Sequence, residues 1–178
     1  SHIFEYLAAI AFGAGILMAA CSKTIFRILF TGDYVQGYTV APYLFLAPLM
    51  LMLFQVIVNQ FIVIKKTWYN LLALVVGALV NVVLNYILIP LIGIEGAAIG
   101  TLVGYIVSIV ITATILIRMG LLRISYKFYV LSLSLLAYFL LWRFAMRDLL
   151  LIPLVIAIFI LIGYCILFKK DIKQLINK

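Results

Sequence analysis

Two cations inside an otherwise apolar segment are the first residues whose chemistry could serve a function. Lys23 and Arg27 lie four positions apart, so on a helix they share one face near its end. An arginine fork matches phosphate oxygens, and the lysine adds a point charge beside it. The pair therefore fits two roles. It could line a water-filled cavity that holds a phosphate-bearing substrate, or it could snorkel to the lipid headgroups.

Two amides in a later apolar segment pose a similar choice. Gln55 and Asn59 are also four positions apart, and Gln60 follows directly. An amide without a hydrogen-bond partner in hydrocarbon costs about 4–8 kcal/mol on an alkane reference. These side chains must therefore face other helices or water. Interhelical hydrogen bonds and the lining of a polar cavity both satisfy that requirement.

The sequence shows no candidate catalytic residues. No His-x-x-x-His pair, cysteine pair or carboxylate pair lies in the middle of an apolar run, so neither a metal site nor a general acid–base pair is predicted. Cys21 and Cys165 stand inside apolar runs and are predicted to be membrane-buried thiols. We expect a protein that is not an enzyme and that has no cofactor.

The elements that position these residues are set by an extreme composition. The chain of 178 residues is 69% hydrophobic and 10% charged, with a mean hydropathy of +1.35. Soluble domains are usually about 45–50% apolar and about 25% charged. The sequence therefore predicts an integral membrane protein, and its net charge of +8 marks basic loops beside membrane lipids rather than a nucleic-acid partner.

Six apolar runs are each long enough to cross about 30 Å of hydrocarbon as a helix. Their hydrophobicity does not alternate, which disfavours a β-barrel. The sequence predicts an all-α polytopic membrane helix bundle with six transmembrane helices, in which short loops make sequence neighbours antiparallel. The runs cover residues 3–20 (with an extension to residue 30 left open), 39–64, 68–89, 96–117, 126–144 and 149–168.

Residues 81–104 organise the chain, because small residues recur every four positions on both sides of a turn. Pro90 is predicted to end the third run, and Gly93 and Gly96 to reverse the chain around Ile94 and Glu95. Small residues on one helical stripe allow close approach of a second helix. The residues predicted to mediate this helix packing are Gly77, Asn81, Asn85, Gly96, Gly100 and Gly104.

The distribution of basic residues predicts an orientation. With the first residue in the cytoplasm, nine of the 13 lysines and arginines fall on the cytoplasmic side and four on the outside. This bias favours cytoplasmic termini. Arg143 and Arg147 are predicted to anchor the outer interface with a local ion pair to Asp148. Aromatic residues near the run ends are predicted to form interfacial belts: Trp68, Tyr69, Trp142, Tyr34, Tyr38 and Tyr43.

Four segments together resemble a known family. They are LFTGDY at residues 29–34, the run from Tyr43 to Lys65 and Lys66, NVVLNYILIP at residues 81–90, and GIEGAAIGTLVGY at residues 93–105. They resemble the polysaccharide-biosynthesis flippases of the multidrug/oligosaccharidyl-lipid/polysaccharide exporter superfamily. That superfamily also contains the lipid II flippase and the MATE drug antiporters. The resemblance covers residues 3–118, and the last two runs match only in number and hydrophobicity.

The resemblance implies a fragment of a larger transporter. Members have two six-helix lobes, sometimes followed by two extra helices. Residues 1–120 would be the last four helices of the second lobe, and residues 121–178 the extra pair with a basic cytoplasmic tail. A chain that opens Ser-His-Ile, without an initiator methionine, fits that expectation. The missing N-terminal lobe of the same protein would be its main partner.

The implied function is the flipping of undecaprenyl-pyrophosphate-linked saccharide units, such as O-antigen precursors, from the inner to the outer leaflet of the plasma membrane. Lys23, Arg27, Gln55 and Asn59 would then face the cavity between the lobes. Two alternatives stay open. One is a cation-coupled multidrug antiporter, which the absence of a mid-span carboxylate disfavours. The other is a non-transporting membrane scaffold, in which the small-residue stripes serve only assembly.

Overall fold

The computed structural model describes residues 2–169, and helices account for nearly all of them. The basic tail at residues 170–178 lies outside the described residues, so its predicted cytoplasmic location stays a prediction. Six α-helices are joined by one 3₁₀ helix, one π-helix and short turns. The elements are α1 (His2–Leu29), a 3₁₀ helix (Gly32–Thr39), α2 (Ala41–Val63), α3 (Trp68–Ile92), α4 (Ile94–Arg118), α5 (Tyr126–Leu141), a π-helix (Trp142–Met146) and α6 (Ile152–Leu167).

The prediction of an all-α polytopic membrane helix bundle is confirmed. The first five α-helices, counting the π-helix with α5, are long and apolar enough to cross a bilayer. The sixth run forms a shorter helix than predicted, because Pro153 lies in its first turn and residues 149–151 precede it without helical structure. Its 16 residues rise about 24 Å, somewhat less than the usual hydrocarbon thickness.

The helices do not pack in the order of the sequence. α3 packs on α4, α4 on α2 and α2 on α1, while α1 also contacts α5 and α6. The core lies where α1 and α2 meet, around the fully buried Ile16, Leu53 and Phe61. It continues into Trp142 after α5, so residues on both sides of the predicted boundary at residue 120 share one core. The division into two units stays a prediction.

α3 and α4 form a close antiparallel pair. A Cβ placed on Gly104 would lie 2.8 Å from the Gly77 carbonyl oxygen, and one on Gly96 would lie 2.6 Å from the Leu88 carbonyl carbon. The hydroxyl of Ser108 donates to the Ala73 carbonyl at 3.0 Å, across the same contact. The two backbones therefore meet along the small-residue stripe, at a distance that side chains would prevent.

Asparagines add polar contacts to this pair. The Asn85 amide donates to the side-chain oxygen of Asn81 at 2.8 Å, and the Asn81 amide reaches the Thr101 hydroxyl at 3.5 Å. A Cβ on Gly100 would lie 2.4 Å from the Asn85 side-chain oxygen. The structure thus brings all six residues predicted for helix packing into the contact between α3 and α4.

The turn between α3 and α4 differs from the prediction. Pro90 does not end α3, because a proline near the last turn removes only one hydrogen bond and the helix continues to Ile92. Gly93 alone reverses the chain, with a φ of 63° that glycine adopts without a steric penalty. Gly96 is not part of the turn, since α4 already begins at Ile94.

Candidate functional site

Lys23, the first cation predicted for a cavity, has a carboxylate partner. Its ammonium donates to the backbone carbonyl of Asp148 and lies 3.4 Å from the side-chain oxygen of that residue. The Tyr38 hydroxyl donates to the same carboxylate at 2.7 Å, and Lys23 lies 5.6 Å from the centre of the Tyr38 ring. This contact ties α1 to the segment that precedes α6, 125 residues later.

The Asp148 carboxylate is stabilised in its charged form. The hydrogen bond from Tyr38 and the charge of Lys23 lower the pKa of Asp148. Burial raises the pKa of Tyr38, and the bond to Asp148 raises it further, so the phenol stays a donor at neutral pH. The second predicted cation, Arg27, is exposed one turn after Lys23 and makes no hydrogen bond or ion pair with a described residue.

A second charge cluster joins α4 to the end of α5. Arg143 donates to Oε1 of Glu95, and Arg147 lies 3.6 Å from Oε2 of the same residue. Arg143 also reaches the Tyr43 hydroxyl at 3.4 Å. Glu95 lies in the first turn of α4, where the helix dipole favours a negative charge. One buried carboxylate therefore holds two arginines from a different part of the chain.

The predicted ion pair of Arg143 and Arg147 with Asp148 is wrong. A carboxylate at the start of α4 offers both oxygens to the two guanidinium groups, while Asp148 turns to Lys23. The sequence held one indication of this cluster. The predicted topology places Glu95, Arg143 and Arg147 on the same side of the membrane. Nothing in the local spacing showed the pairing.

The predicted aromatic belt is also partly wrong. Trp142 is only 1% exposed and packs edge-on against Tyr43, with ring centroids 6.1 Å apart. Both residues belong to the core, where Trp142 at the start of the π-helix meets Tyr43 in the first turn of α2. Trp68 and Tyr34, in contrast, are largely exposed, as residues of an interfacial belt would be. Cys165 is exposed and Cys21 is partly exposed on the helix surface, and both are free thiols, so their burial within the membrane stays a prediction.

Gln55 and Asn59 lie on an exposed stripe of α2, which also contains Pro48 and Met52. We call it the amide face. Neither amide makes a hydrogen bond with a described residue. Tyr43, near the start of α2, contacts Arg143 at the end of the bundle where Lys23 lies. The two amides lie 12 and 16 residues past Tyr43, about 18 and 24 Å along the helix axis. The structure therefore separates them from Lys23 and Arg27, and the four predicted residues do not form one compact site.

The contacts sort the charged residues into two ends. Glu5 at the start of α1 accepts a hydrogen bond from the Ser125 backbone amide, just before α5, while the far end of α1 meets Asp148. We call the two groups the paired end and the basic end. The paired end contains Lys23, Arg27, Asp33, Glu95, Arg143, Arg147 and Asp148; the basic end contains Glu5, Lys65, Lys66, Arg118, Arg123, Lys127 and Lys169.

Metal binding finds no support in residues 2–169, where no group of three or more histidine, cysteine, aspartate or glutamate side chains is close enough to hold an ion. The most developed chemical features are thus two charge clusters at one end and the amide face of α2. Comparisons with protein families, with curated proteins and with solved structures find no match to this chain.

Proposed function

We propose that this chain is part of a membrane transporter that moves a polyprenyl-pyrophosphate-linked saccharide from the inner to the outer leaflet of the plasma membrane. The resemblance described above supplies the substrate class. The amide face supplies the observation that carries the proposal, because Gln55 is exposed near the middle of a helix long enough to cross a bilayer, and Asn59 is exposed one turn further on.

Exposed amides in hydrocarbon are costly, so the amide face does not contact lipid tails. Its partner is either a water-filled cavity or another protein segment. In the proposed transporter both partners are present, since the second lobe faces the first across an aqueous space. Lipid tails contact α3 instead, because its exposed stripe of Leu72, Val75 and Leu79 contains no polar side chain.

Arg27 is the cation best placed to meet a phosphate in this proposal. Its side chain is exposed at the end of α1 and has no carboxylate partner among residues 2–169. Lys23 instead holds Asp148 and acts as a positioning residue for that end of the bundle. Both termini of the chain are proposed to be cytoplasmic, which places the paired end on the outer side.

A flipping assay tests the proposal. The natural protein would be reconstituted in liposomes with a labelled polyprenyl-pyrophosphate saccharide, and its appearance in the opposite leaflet would be followed with an impermeant reagent. We expect Gln55→Leu with Asn59→Leu to slow flipping at least tenfold. Met52→Leu on the same stripe is the matched control and should keep the normal rate.

Other outcomes would overturn the proposal in distinct ways. Normal flipping by the double variant, at normal protein levels, would remove the amide face from the transport path. Export of a cationic dye without saccharide flipping would indicate a drug antiporter. A wild-type protein that flips nothing, but that loses a co-purifying membrane protein when the amides are replaced, would indicate a scaffold.

A further inference from the structure

The basic end carries more positive charge than its described carboxylates can neutralise. Within residues 2–169 it holds six lysines and arginines but a single carboxylate, that of Glu5. Glu5 is buried and accepts a hydrogen bond from the Ser125 backbone amide. Lys65 and Lys66, in the turn between α2 and α3, are exposed and have no ion pair with any described residue. Among residues 2–169, therefore, nothing neutralises their charge, and an anionic partner can bind there.

The backbone of this turn is fixed by hydrogen bonds. The Lys66 amide donates to the Phe61 carbonyl at 2.9 Å, and the Lys65 amide donates to the Ile62 carbonyl at 3.1 Å. These two bonds form a Schellman motif, in which the residue after the helix adopts a left-handed conformation. Lys65 occupies that position with a φ of 55°. The turn thus presents two adjacent lysines on a preorganised backbone.

The end of α4 shows how unusual this choice of residue is. α4 ends in the same motif, with the Leu121 amide bonded to the Leu116 carbonyl at 2.9 Å and Gly120 in the left-handed position at φ 71°. Glycine adopts this conformation without a steric penalty, whereas lysine does not. The α2 end therefore accepts backbone strain and keeps a charged side chain. Strain at an exposed position is a reason to look for a binding role.

The surface beside the lysines identifies the kind of partner. Trp68 follows them and is 66% exposed, and an exposed apolar stripe continues from it along α3 through Leu72, Val75 and Leu79. An exposed tryptophan between charged and apolar surface is typical of the lipid headgroup level. A ligand bound here would contact two cations with one end and the apolar surface of α3 with the other.

We infer that the turn formed by Lys65, Lys66 and Trp68 binds the phosphate headgroup of an anionic phospholipid, with the acyl chains lying along the exposed stripe of α3. The lysines supply point charges for the phosphate, which suits a mobile lipid headgroup. An anionic membrane surface attracts each nearby lysine by an amount equivalent to about fivefold in binding. The inference does not depend on which substrate the protein transports.

Trp68 itself provides the measurement. The protein would be placed in mixed vesicles containing phosphatidylcholine and phosphatidylglycerol, with bromine on the acyl chains of one lipid at a time to quench nearby tryptophan. The Trp68→Phe variant retains the buried Trp142. Subtracting its fluorescence from that of the wild-type protein therefore gives the signal of Trp68 alone. We expect brominated phosphatidylglycerol to quench the Trp68 signal with about a three- to fivefold preference over phosphatidylcholine at low ionic strength.

The variants localise the site. Lys65→Gly with Lys66→Gln removes both charges and keeps the turn, because glycine favours the left-handed position. The two brominated lipids should quench the Trp68 fluorescence of this variant equally. Lys169→Gln, at the end of α6 away from α3, is the matched control and should keep the preference. Equal quenching in the wild-type protein would overturn the inference, and so would an unchanged preference in the double variant.

Discussion

The two ends of this bundle handle charge in opposite ways. At the paired end, Glu95 holds two arginines and Asp148 holds Lys23, so helix ends far apart in sequence are tied by ion pairs. At the basic end, the described carboxylate accepts a backbone hydrogen bond, and most cations are left facing outwards. The difference indicates that one end serves cohesion of the bundle and the other serves contact with its surroundings.

The largest effect should come from removing the carboxylate that holds two arginines. Glu95→Gln leaves Arg143 and Arg147 partly buried without a counter-ion, and should lower the free energy of unfolding by about 2–3 kcal/mol. Thermal unfolding of the purified protein in detergent measures this loss. Asp33→Asn is the matched control, because Asp33 is exposed at the same end without an ion pair among the described residues. Equal effects of the two substitutions would break the comparison.

A smaller loss should follow from changing the geometry of one cation while keeping its charge. Arg143→Lys retains the attraction to Glu95 but loses the planar guanidinium, whose Nη1 also reaches the Tyr43 hydroxyl. We expect a loss of about 1 kcal/mol in the free energy of unfolding. A matched Arg118→Lys substitution at the basic end, where no carboxylate partner is described, should change the unfolding temperature little. A larger effect from Arg118→Lys would contradict the contrast.

The contact of Lys23 with Asp148 should be weaker and dependent on pH. The pKa of Asp148 is lowered in the folded protein, so its contribution is present above the ordinary aspartate pKa of about 3.9 and is lost as the pH falls through the lowered value. Because the carboxylate is exposed, we expect less than 1 kcal/mol. Unfolding curves of wild type and Asp148→Asn should differ by a constant amount from pH 5 to 8 and converge at lower pH. Convergence at higher pH instead would contradict the assignment.

The smallest effect on stability should come from the basic end. Lys65→Gly removes a charge without a described partner and relieves a left-handed lysine, while glycine adds entropy to the unfolded chain. These terms oppose each other, so the free energy of unfolding should change by less than about 0.5 kcal/mol. Urea or detergent denaturation followed by circular dichroism would measure it. A loss above 1 kcal/mol would show that this turn also serves cohesion.

The fold was largely predictable from the sequence because hydrocarbon leaves few choices. Apolar runs of this length must be helices, and their number and approximate limits follow from the positions of charge and glycine. The error at Pro90 is local. A proline near the last turn costs one hydrogen bond, so it does not stop a helix that is held by packing against α4.

The charge pairing was not predictable, because it depends on contacts between distant segments. Glu95 and Arg143 are 48 residues apart, and Lys23 and Asp148 are 125 apart. Local spacing favours an ion pair between Arg147 and its neighbour Asp148. The packing of the helices instead brings Arg147 to Glu95. The burial of Trp142 has the same origin, since this residue packs against Tyr43 of α2, from a distant part of the chain.

The one-residue turn at Gly93 has a mechanical consequence. With α3 held to α4 along its glycine-lined contact, and reaching the other helices mainly through α4, the two helices should respond to force as a single body. In single-molecule pulling from the bilayer, we expect the pair to be extracted in one step rather than two. A bulky residue at Gly104 should divide that step, because the backbones could no longer interlock.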